Sequence, residues 1–237
     1  MKPNSKIKTT LLSAATAVLF FPCITCAQDK AEQGWKNLFD GKTLAGWTNS
    51  KGEKPGAGWV VEEEGVLFRK DKGGDLYTDV EYGDFELELE WKISKAGNSG
   101  IKYRVTDYNG RLLGPECQVL DDDAHPDSMK GRPGTRQASA LYDLMPVIKD
   151  SKKLAPVGEW NKVRIIAKGT RCEHWLNGKK VLEYDTSSDA YRAAVAGSKY
   201  SKIPDFGTKT KGRIHLQDHS DHVWYRNIRI KVLDTKK

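Results

Sequence analysis

The stretch Asp84-Phe85-Glu86-Leu87-Glu88-Leu89-Glu90-Trp91-Lys92-Ile93 alternates apolar and charged residues without a break. Successive side chains of an extended strand point to opposite faces. The pattern therefore puts Phe85, Leu87, Leu89, Trp91 and Ile93 on one dry face and the charges on the other. The same grammar repeats on either side. Trp59-Val60-Val61 and Val66-Leu67-Phe68 flank Glu63-Glu64-Gly65 and read as a hairpin. Residues 101–106, 117–120, 162–167, 172–176, 180–184, 214–217 and 223–232 supply further strands. Asn177-Gly178 is a hairpin turn signal, because both central positions of that turn need positive φ. Only Ser188 to Ala196 reads as a helix. About ten strands without βα alternation predict an all-β sandwich in a single domain. Segments 121–136 and 142–155 break the strand pattern and contain proline. They are predicted to be long loops, where binding residues tend to sit.

Composition narrows the class. The chain has 237 residues, of which 38% are hydrophobic and 30% charged, and its seven Trp, nine Tyr and six Phe exclude disorder. A mean hydropathy of −0.63 excludes a polytopic membrane protein. The formal charge is +7 with a pI near 9.1, yet no nucleic-acid recognition motif accompanies it. Residues 1–27 differ from the rest. Lys2, Lys6 and Lys8 precede an apolar run from Leu11 to Phe21, which is shorter than the roughly 20 residues a bilayer requires. Thr25-Cys26-Ala27 then places small residues before a cut at Gln28. This is the pattern of a secretory signal peptide, so the protein is expected to be periplasmic or secreted, with no transmembrane segment. A lipid anchor through Cys26 is the alternative, although Cys23-Ile24-Thr25 is a poor match to the residues that precede a lipidated cysteine. Residues 28–33 are a lead-in, 34–232 the domain and 233–237 a solvated tail. Without the leader's three lysines the formal charge falls from +7 to +4. The remaining excess gathers between Lys199 and Arg213, expected to be a basic loop away from any site. Cys117 and Cys172 lie in strand patterns. Export permits a disulfide between them, and two buried thiols are the simpler reading.

Alternation in Glu116-Cys117-Gln118-Val119-Leu120 sends Cys117 and Val119 to the core and Glu116 and Gln118 to the outer face. His215, Gln217 and His219 likewise share one face. A carboxylate, amides and imidazoles on a sheet suit a polar ligand such as a sugar, and they suit proton transfer. The plain alternative is the solvated face of edge strands. Asp121-Asp122-Asp123 with His125 and Asp127 resembles a hard-metal environment, but it lacks the glycine and terminal glutamate of an EF-hand. Glu86 and Glu90 could form the carboxylate pair of a retaining glucanase. Because the opposite face must meet the core, they read instead as a solvated row.

Several blocks, in order, resemble one family. They are Gly34-Trp35-Lys36-Asn37-Leu38-Phe39-Asp40-Gly41, Gly97-Asn98-Ser99-Gly100-Ile101-Lys102-Tyr103-Arg104, Glu116 to Asp121 with His125-Pro126-Asp127, Ala140-Leu141-Tyr142-Asp143, Gly158-Glu159-Trp160-Asn161, His174 to Gly178, Leu216-Gln217-Asp218-His219 and Arg226-Asn227-Ile228. Together they are similar to the 3-keto-disaccharide hydrolase domain family. Ser139 departs from the family pattern, which usually has glycine there. The resemblance implies a concanavalin-A-like jelly-roll sandwich, bacterial export and action on a disaccharide or glycoside oxidised at C3. A ketone at C3 acidifies the C2 proton. A base can remove it, the aglycone leaves C1, and water adds afterwards. The route needs a base near C2, charge stabilisation at the ketone oxygen and an acid for the leaving group. On the matching positions the catalytic candidates are Glu116, His125, His219 and Arg104, with Glu116 or His125 as base. Gln118, Asp121, Tyr142 and Gln217 are the substrate-binding candidates. Arg104, or a divalent ion on Glu116, Asp121 and His125, would stabilise the enediolate. A non-catalytic, lectin-like glycan-binding module is the alternative. The sequence leaves the aglycone, the anomer and the oligomeric state open.

Overall fold

The structure, a computed structural model, describes Met1 and residues 34–233. The predicted leader from residue 2 onward, Cys23, Cys26, the 28–33 lead-in and the last four residues lie outside that range. The strands in chain order are β1 (Trp35–Asn37), β2 (Trp47–Thr48), β3 (Trp59–Glu62), β4 (Val66–Arg69), β5 (Leu76–Tyr82), β6 (Phe85–Ile93) and β7 (Asn98–Asp107). They continue with β8 (Leu112–Leu113), β9 (Glu116–Leu120), β10 (Asn161–Lys168), β11 (Arg171–Leu176), β12 (Lys179–Asp185), β13 (Gly212–Leu216) and β14 (Val223–Val232). Among the described residues one α-helix, α1 (Asp189–Ala196), precedes β13 and is capped by the Ser188 hydroxyl, which accepts from Tyr191 N at 3.1 Å. The strands form a sandwich of two antiparallel sheets. The first runs β12-β11-β10-β6-β14-β4-β3, with β1 also paired to β14; the second runs β2-β5-β13-β7-β8, with β9 also paired to β7.

β6 lies at the centre of the first sheet, between β10 and β14. Its alternation is realised. Phe85, Leu87, Leu89, Trp91 and Ile93 are all at most 3% exposed. In register they meet Ala167, Ile165 and Val163 on one side and Ile230 and Tyr225 on the other. Each such side chain contributes up to about 1.5–3 kcal/mol by leaving water. The second sheet closes the core with Leu76, Ile101, Tyr103, Cys117, Val119, Ile214 and Leu216. Cys117 and Cys172 are both buried free thiols.

The outward carboxylates of β6 are held by cations from its neighbours. Glu86 pairs with Arg164, Glu88 with Arg229 at 3.0 Å and Lys162 at 3.1 Å, and Glu90 with Arg226 at 2.7 Å. Half-exposed pairs of this kind are worth about 0–1 kcal/mol each. They do, however, engage Glu86 and Glu90 with arginines on the solvent side of the first sheet, which removes the glucanase reading.

A buried polar chain crosses between the sheets. His174 on β11 is fully buried, and its Nδ1 lies 2.9 Å from the Ser139 carbonyl. A carbonyl only accepts, so Nδ1 carries the proton. Nε2 must then accept from the Tyr103 hydroxyl at 2.8 Å, and that hydroxyl in turn accepts from Tyr184 at 2.6 Å. The ring is fixed as one neutral tautomer, and burial holds its pKa down at about 4, from an ordinary value of 6.5. The unfolded chain therefore binds this proton first as pH falls. Stability from this group is complete above pH 6.5, declines through the window from 6.5 to about 4, and levels off below it, for a total of about 3 kcal/mol. Denaturant melts at pH 7.5 and 4.5 should show that loss in the wild type and a shallower one in His174→Phe. Equal slopes in the two proteins would contradict the assignment.

The strand and helix expectations hold where alternation is clean. β5 was not expected. Its burial runs as three buried residues, Leu76 to Thr78, then three exposed, Asp79 to Glu81, so no period of two is visible. β1, β2 and β8 have three residues or fewer and give no pattern to read.

Candidate active site

The outer face of the second sheet carries a row of side chains set by strand register. Tyr77 on β5 pairs with His215 on β13, His215 with Lys102 on β7, and Lys102 with Glu116 on β9. The Tyr77 and His215 rings stack at 4.4 Å and 8°. Lys102 Nζ lies 3.7 Å from Glu116 Oε2. One step along the strands, Gly100 pairs with Gln118, and Gln217 N donates to Gly100 O at 2.9 Å. Gly100 makes the arrangement feasible. A Cβ there would stand 2.1 Å from Glu116 Oε1, so only glycine lets the carboxylate lie across the sheet beside Lys102.

This face holds polar atoms that lack partners. Gln118 and His215 are each 1% exposed. Gln118 Oε1 and His215 Nδ1 have no hydrogen-bond partner among the described residues. His215 Nε2 stands 3.2 Å from Asp75 Oδ2, but off the line of a hydrogen bond. Burial holds the His215 pKa below its ordinary value, against the pull of Asp75. An unsatisfied buried polar group costs about 1–3 kcal/mol. Unsatisfied buried groups call for an explanation, and beside the Glu116 carboxylate and the Lys102 ammonium a polar ligand is one.

The two long loops border the row. Tyr142 N donates to Glu116 O at 3.0 Å, and the Tyr142 hydroxyl donates to Asp127 Oδ2 at 2.8 Å. Arg136 bridges Asp127 at 2.9 Å and Asp143 at 2.7 Å. Burial and the hydrogen bond to Asp127 both raise the Tyr142 pKa. Burial alone would raise Asp127, but its bonds from Tyr142 and Arg136 outweigh that and lower it. Lys199 N donates to Asp143 Oδ2 at 2.8 Å, and its Nζ lies 4.1 Å from the Tyr142 ring centroid. Arg213 lies over Tyr77 at 5.4 Å. The basic run was expected away from the site, but both of its ends reach it.

His125 and His219 approach each other beyond Gln217, with ring centroids 6.0 Å apart at 79°. Together with Asp221 they offer three ligand atoms within 4.8 Å of one another. Two imidazoles and a carboxylate suit a borderline divalent ion. However, His125 Nδ1 accepts from Asp127 N at 3.1 Å, which leaves the proton on Nε2. The trio could hold an ion only if His125 gave up that bond.

Two candidates from the sequence are displaced. Arg104 is not on the outer face. Between the pairs Arg213↔Val105 and His215↔Lys102, β7 carries one residue more than β13, a β-bulge, and Arg104 takes φ +49 there. The bulge turns its side chain away from Lys102, and it is 2% exposed. Its guanidinium bonds Asp84 at 3.1 Å, the Gly169 carbonyl at 2.8 Å and the Gly83 carbonyl at 3.3 Å. Asp121 is a loop brace. Its Oδ2 accepts from Ala96 N at 2.7 Å and its Oδ1 from Asp123 N and Ala124 N. It belongs neither to the row nor to the ion trio, and Glu116 pairs with Lys102 instead of joining His125. Glu116, Gln118, Tyr142 and Gln217 fall at the row, and His125 and His219 beside it. Sequence reading grouped His215 and Asp127 with candidate residues without giving either a role, and it missed Lys102, Asp75, Lys199 and Asp221. Lys102 was the most legible of these, since it is two residues from Gly100 on the same strand.

The comparisons fit this geometry. A family model for the 3-keto-alpha-glucoside-1,2-lyase-like domain matches residues 34–231. A 3-keto-disaccharide hydrolase of Bacteroides thetaiotaomicron is 36% identical over 231 residues, covering 85% of this chain and 79% of that one. A crystal structure from Parabacteroides distasonis, of a protein named provisionally as a glycosyl hydrolase, superposes with a TM-score of 0.77 at 33% identity, covering 87% of this chain and 97% of that one. A second such structure from the same organism gives 0.64 at 29% identity, covering 84% and 99%. The fold and the site therefore define a carbohydrate-directed β-sandwich of the hydrolase type. The chain belongs to the 3-keto-alpha-glucoside-1,2-lyase-like domain family.

Proposed function

We propose that the protein cleaves glycosides oxidised at C3, by removing the C2 proton and eliminating the aglycone, with water adding afterwards. The observation that carries this reading is the Glu116 carboxylate lying across Gly100, 3.7 Å from the Lys102 ammonium, beside unpartnered buried polar atoms. Glu116 is the base. His125 does not serve as base in this geometry, because its Nε2 already holds the proton. Lys102 takes the role first expected of Arg104 and stabilises negative charge on the enediolate. His125 Nε2–H donates to the departing oxygen, and Gln118 and Gln217 bind hydroxyls. The electron pair of the C2–H bond first forms a C2–C3 double bond with negative charge on the C3 oxygen; its return forms the C1–C2 double bond as the C1–O bond breaks, and the leaving oxygen takes a proton from solvent while Glu116 releases the one it removed. Water then adds across that double bond.

If His125 gave up its bond from Asp127, a divalent ion held by His125, His219 and Asp221 would supply positive charge beside the row in place of the Nε2–H donor. Export follows from the leader pattern in residues 1–27, and a mature chain beginning at Gln28 by mass spectrometry would support it. The function is tested with the two anomers of 4-nitrophenyl 3-keto-glucoside and their unoxidised parents. Nitrophenol release from a keto-glycoside alone is the expected result. Saturable binding of the unoxidised sugar with no release from either would favour the glycan-binding module. Chelation followed by Mn2+ reads the ion. Turnover lost and then restored in the wild type, but not restored in His219→Ala, supports an ion at the trio, and unchanged turnover leaves the chemistry to Glu116 and Lys102.

A further inference from the structure

The segment from Ser139 to Tyr142 extends the polar row past β9. Ser139 N donates to Gln118 O at 2.8 Å, Gln118 N to Ala140 O at 3.2 Å and Tyr142 N to Glu116 O at 3.0 Å, so the segment runs along the edge of β9 that faces away from β7. Across the sheet the order is therefore Lys102, Glu116, Tyr142.

Lys199 stands over the Tyr142 end. Its Nζ lies 4.1 Å from the Tyr142 ring centroid and 5.1 Å from that of Tyr200. Tyr200 is in turn stacked on Phe206 at 3.8 Å and 7°. Two anchored rings thus hold the ammonium by cation–π attraction. Nζ has no carboxylate partner and no hydrogen bond among the described residues. Asp143, its neighbour, is already engaged: Oδ1 accepts from Arg136 and Oδ2 from the Lys199 backbone N. Burial lowers the Lys199 pKa, and Glu116 opposes that more strongly than Asp143 does. The ammonium therefore faces the row, and the residue is exposed, so a ligand there can reach it.

The proposed reaction orders the substrate along the same line. With the ketone oxygen at Lys102 and C2 at Glu116, C1 and its aglycone come next, at Tyr142 and Lys199. We propose that Lys199 selects glycosides whose aglycone carries a carboxylate, which pairs with its ammonium. A preorganised cation at a site rim confers specificity of this kind through charge complementarity. The assignment of Lys199 to the aglycone rests on the reaction proposed above; the anion preference itself can be measured without it.

The probes are 4-carboxyphenyl and 4-carbamoylphenyl 3-keto-glucosides, in whichever anomer the nitrophenyl substrate shows to be cleaved. They differ in charge and little in shape. The readout is the ratio of their kcat/KM values, compared between proteins so that the intrinsic difference between the two leaving groups cancels. The wild-type ratio is expected to favour the carboxylate by about fivefold over the ratio in Lys199→Met, the upper range for an exposed ion pair. Lys199→Arg should keep the wild-type ratio, and Lys199→Glu should fall below Lys199→Met. Equal ratios in the wild type and Lys199→Met, or a wild-type ratio in Lys199→Glu, would overturn the proposal. If neither keto-glycoside is cleaved, the proposed reaction fails, and Lys199 is read instead by calorimetry with the two unoxidised glucosides. Tighter binding of the carboxylate, lost in Lys199→Met, then supports the anion site on its own. Equal or undetectable binding of the two overturns it.

Discussion

Glu116→Gln is expected to lower the rate of aglycone release from a 3-keto-glucoside by about 10²–10⁴-fold, the usual contribution of a positioned general base. The substitution preserves the side chain's shape, so the seat on Gly100 remains occupied. It removes the group that accepts the C2 proton and leaves Lys102 without its carboxylate. Gln118 and Gln217 keep their hydroxyl-binding groups, so KM should change far less than kcat. The check is steady-state nitrophenol release, with a thermal melt to show that the variant is folded. A folded variant that turns over within a few-fold of the wild type would show that Glu116 is not the base.

Arg104→Ala should do the opposite and damage the fold while leaving the chemistry intact. Arg104 lies on β7 of the second sheet, but it reaches the Gly83-Asp84 corner before β6 and the Gly169 turn between β10 and β11. It is therefore a clasp between the two sheets. The Asp84 carboxylate is 10% exposed, and it also accepts from Gly169 N at 2.8 Å. Breaking a buried pair strands the remaining charge and costs about 3–5 kcal/mol. A large loss of denaturation midpoint with unchanged kcat per folded molecule is expected. Arg104→Ala with wild-type stability but lost turnover would return this residue to the active site.

The contrast between these two residues shows what can be read from sequence alone. Glu116 and Gln118 were legible because β9 is a regular strand, so alternation assigned their face correctly. Arg104 was a candidate through the family resemblance, and it shares a parity with Lys102, so on a regular strand the same rule places it on the same face. One extra residue in β7 overrides that rule, and nothing local in Tyr103-Arg104-Val105 announces a bulge, since non-glycine residues rarely take positive φ. The fold was more legible than the site for a related reason. The sandwich follows from repeated alternation, and β6 alone fixes which face is dry. The site depends on register between strands far apart in sequence, Tyr77 to His215 to Lys102 to Glu116, and on loops that bring Lys199 over Tyr142. Asp121 looked like a ligand because of its acidic neighbours, yet its oxygens brace the turn that those neighbours form. His174 gave no sign of its role, since its partners Ser139, Tyr103 and Tyr184 lie on three separate segments.

The fate of the C2 hydrogen tests the account most directly. The wild-type protein would be supplied with 4-nitrophenyl 3-keto-glucoside in D2O, and the 3-keto-glucose released would be examined by NMR at early times against a control of free 3-keto-glucose in the same solvent. Elimination followed by hydration removes the original C2 proton and returns a solvent deuteron, so product carrying deuterium at C2 is predicted. Product that retains protium at C2 would mean direct displacement at C1 and would contradict the role given to Glu116.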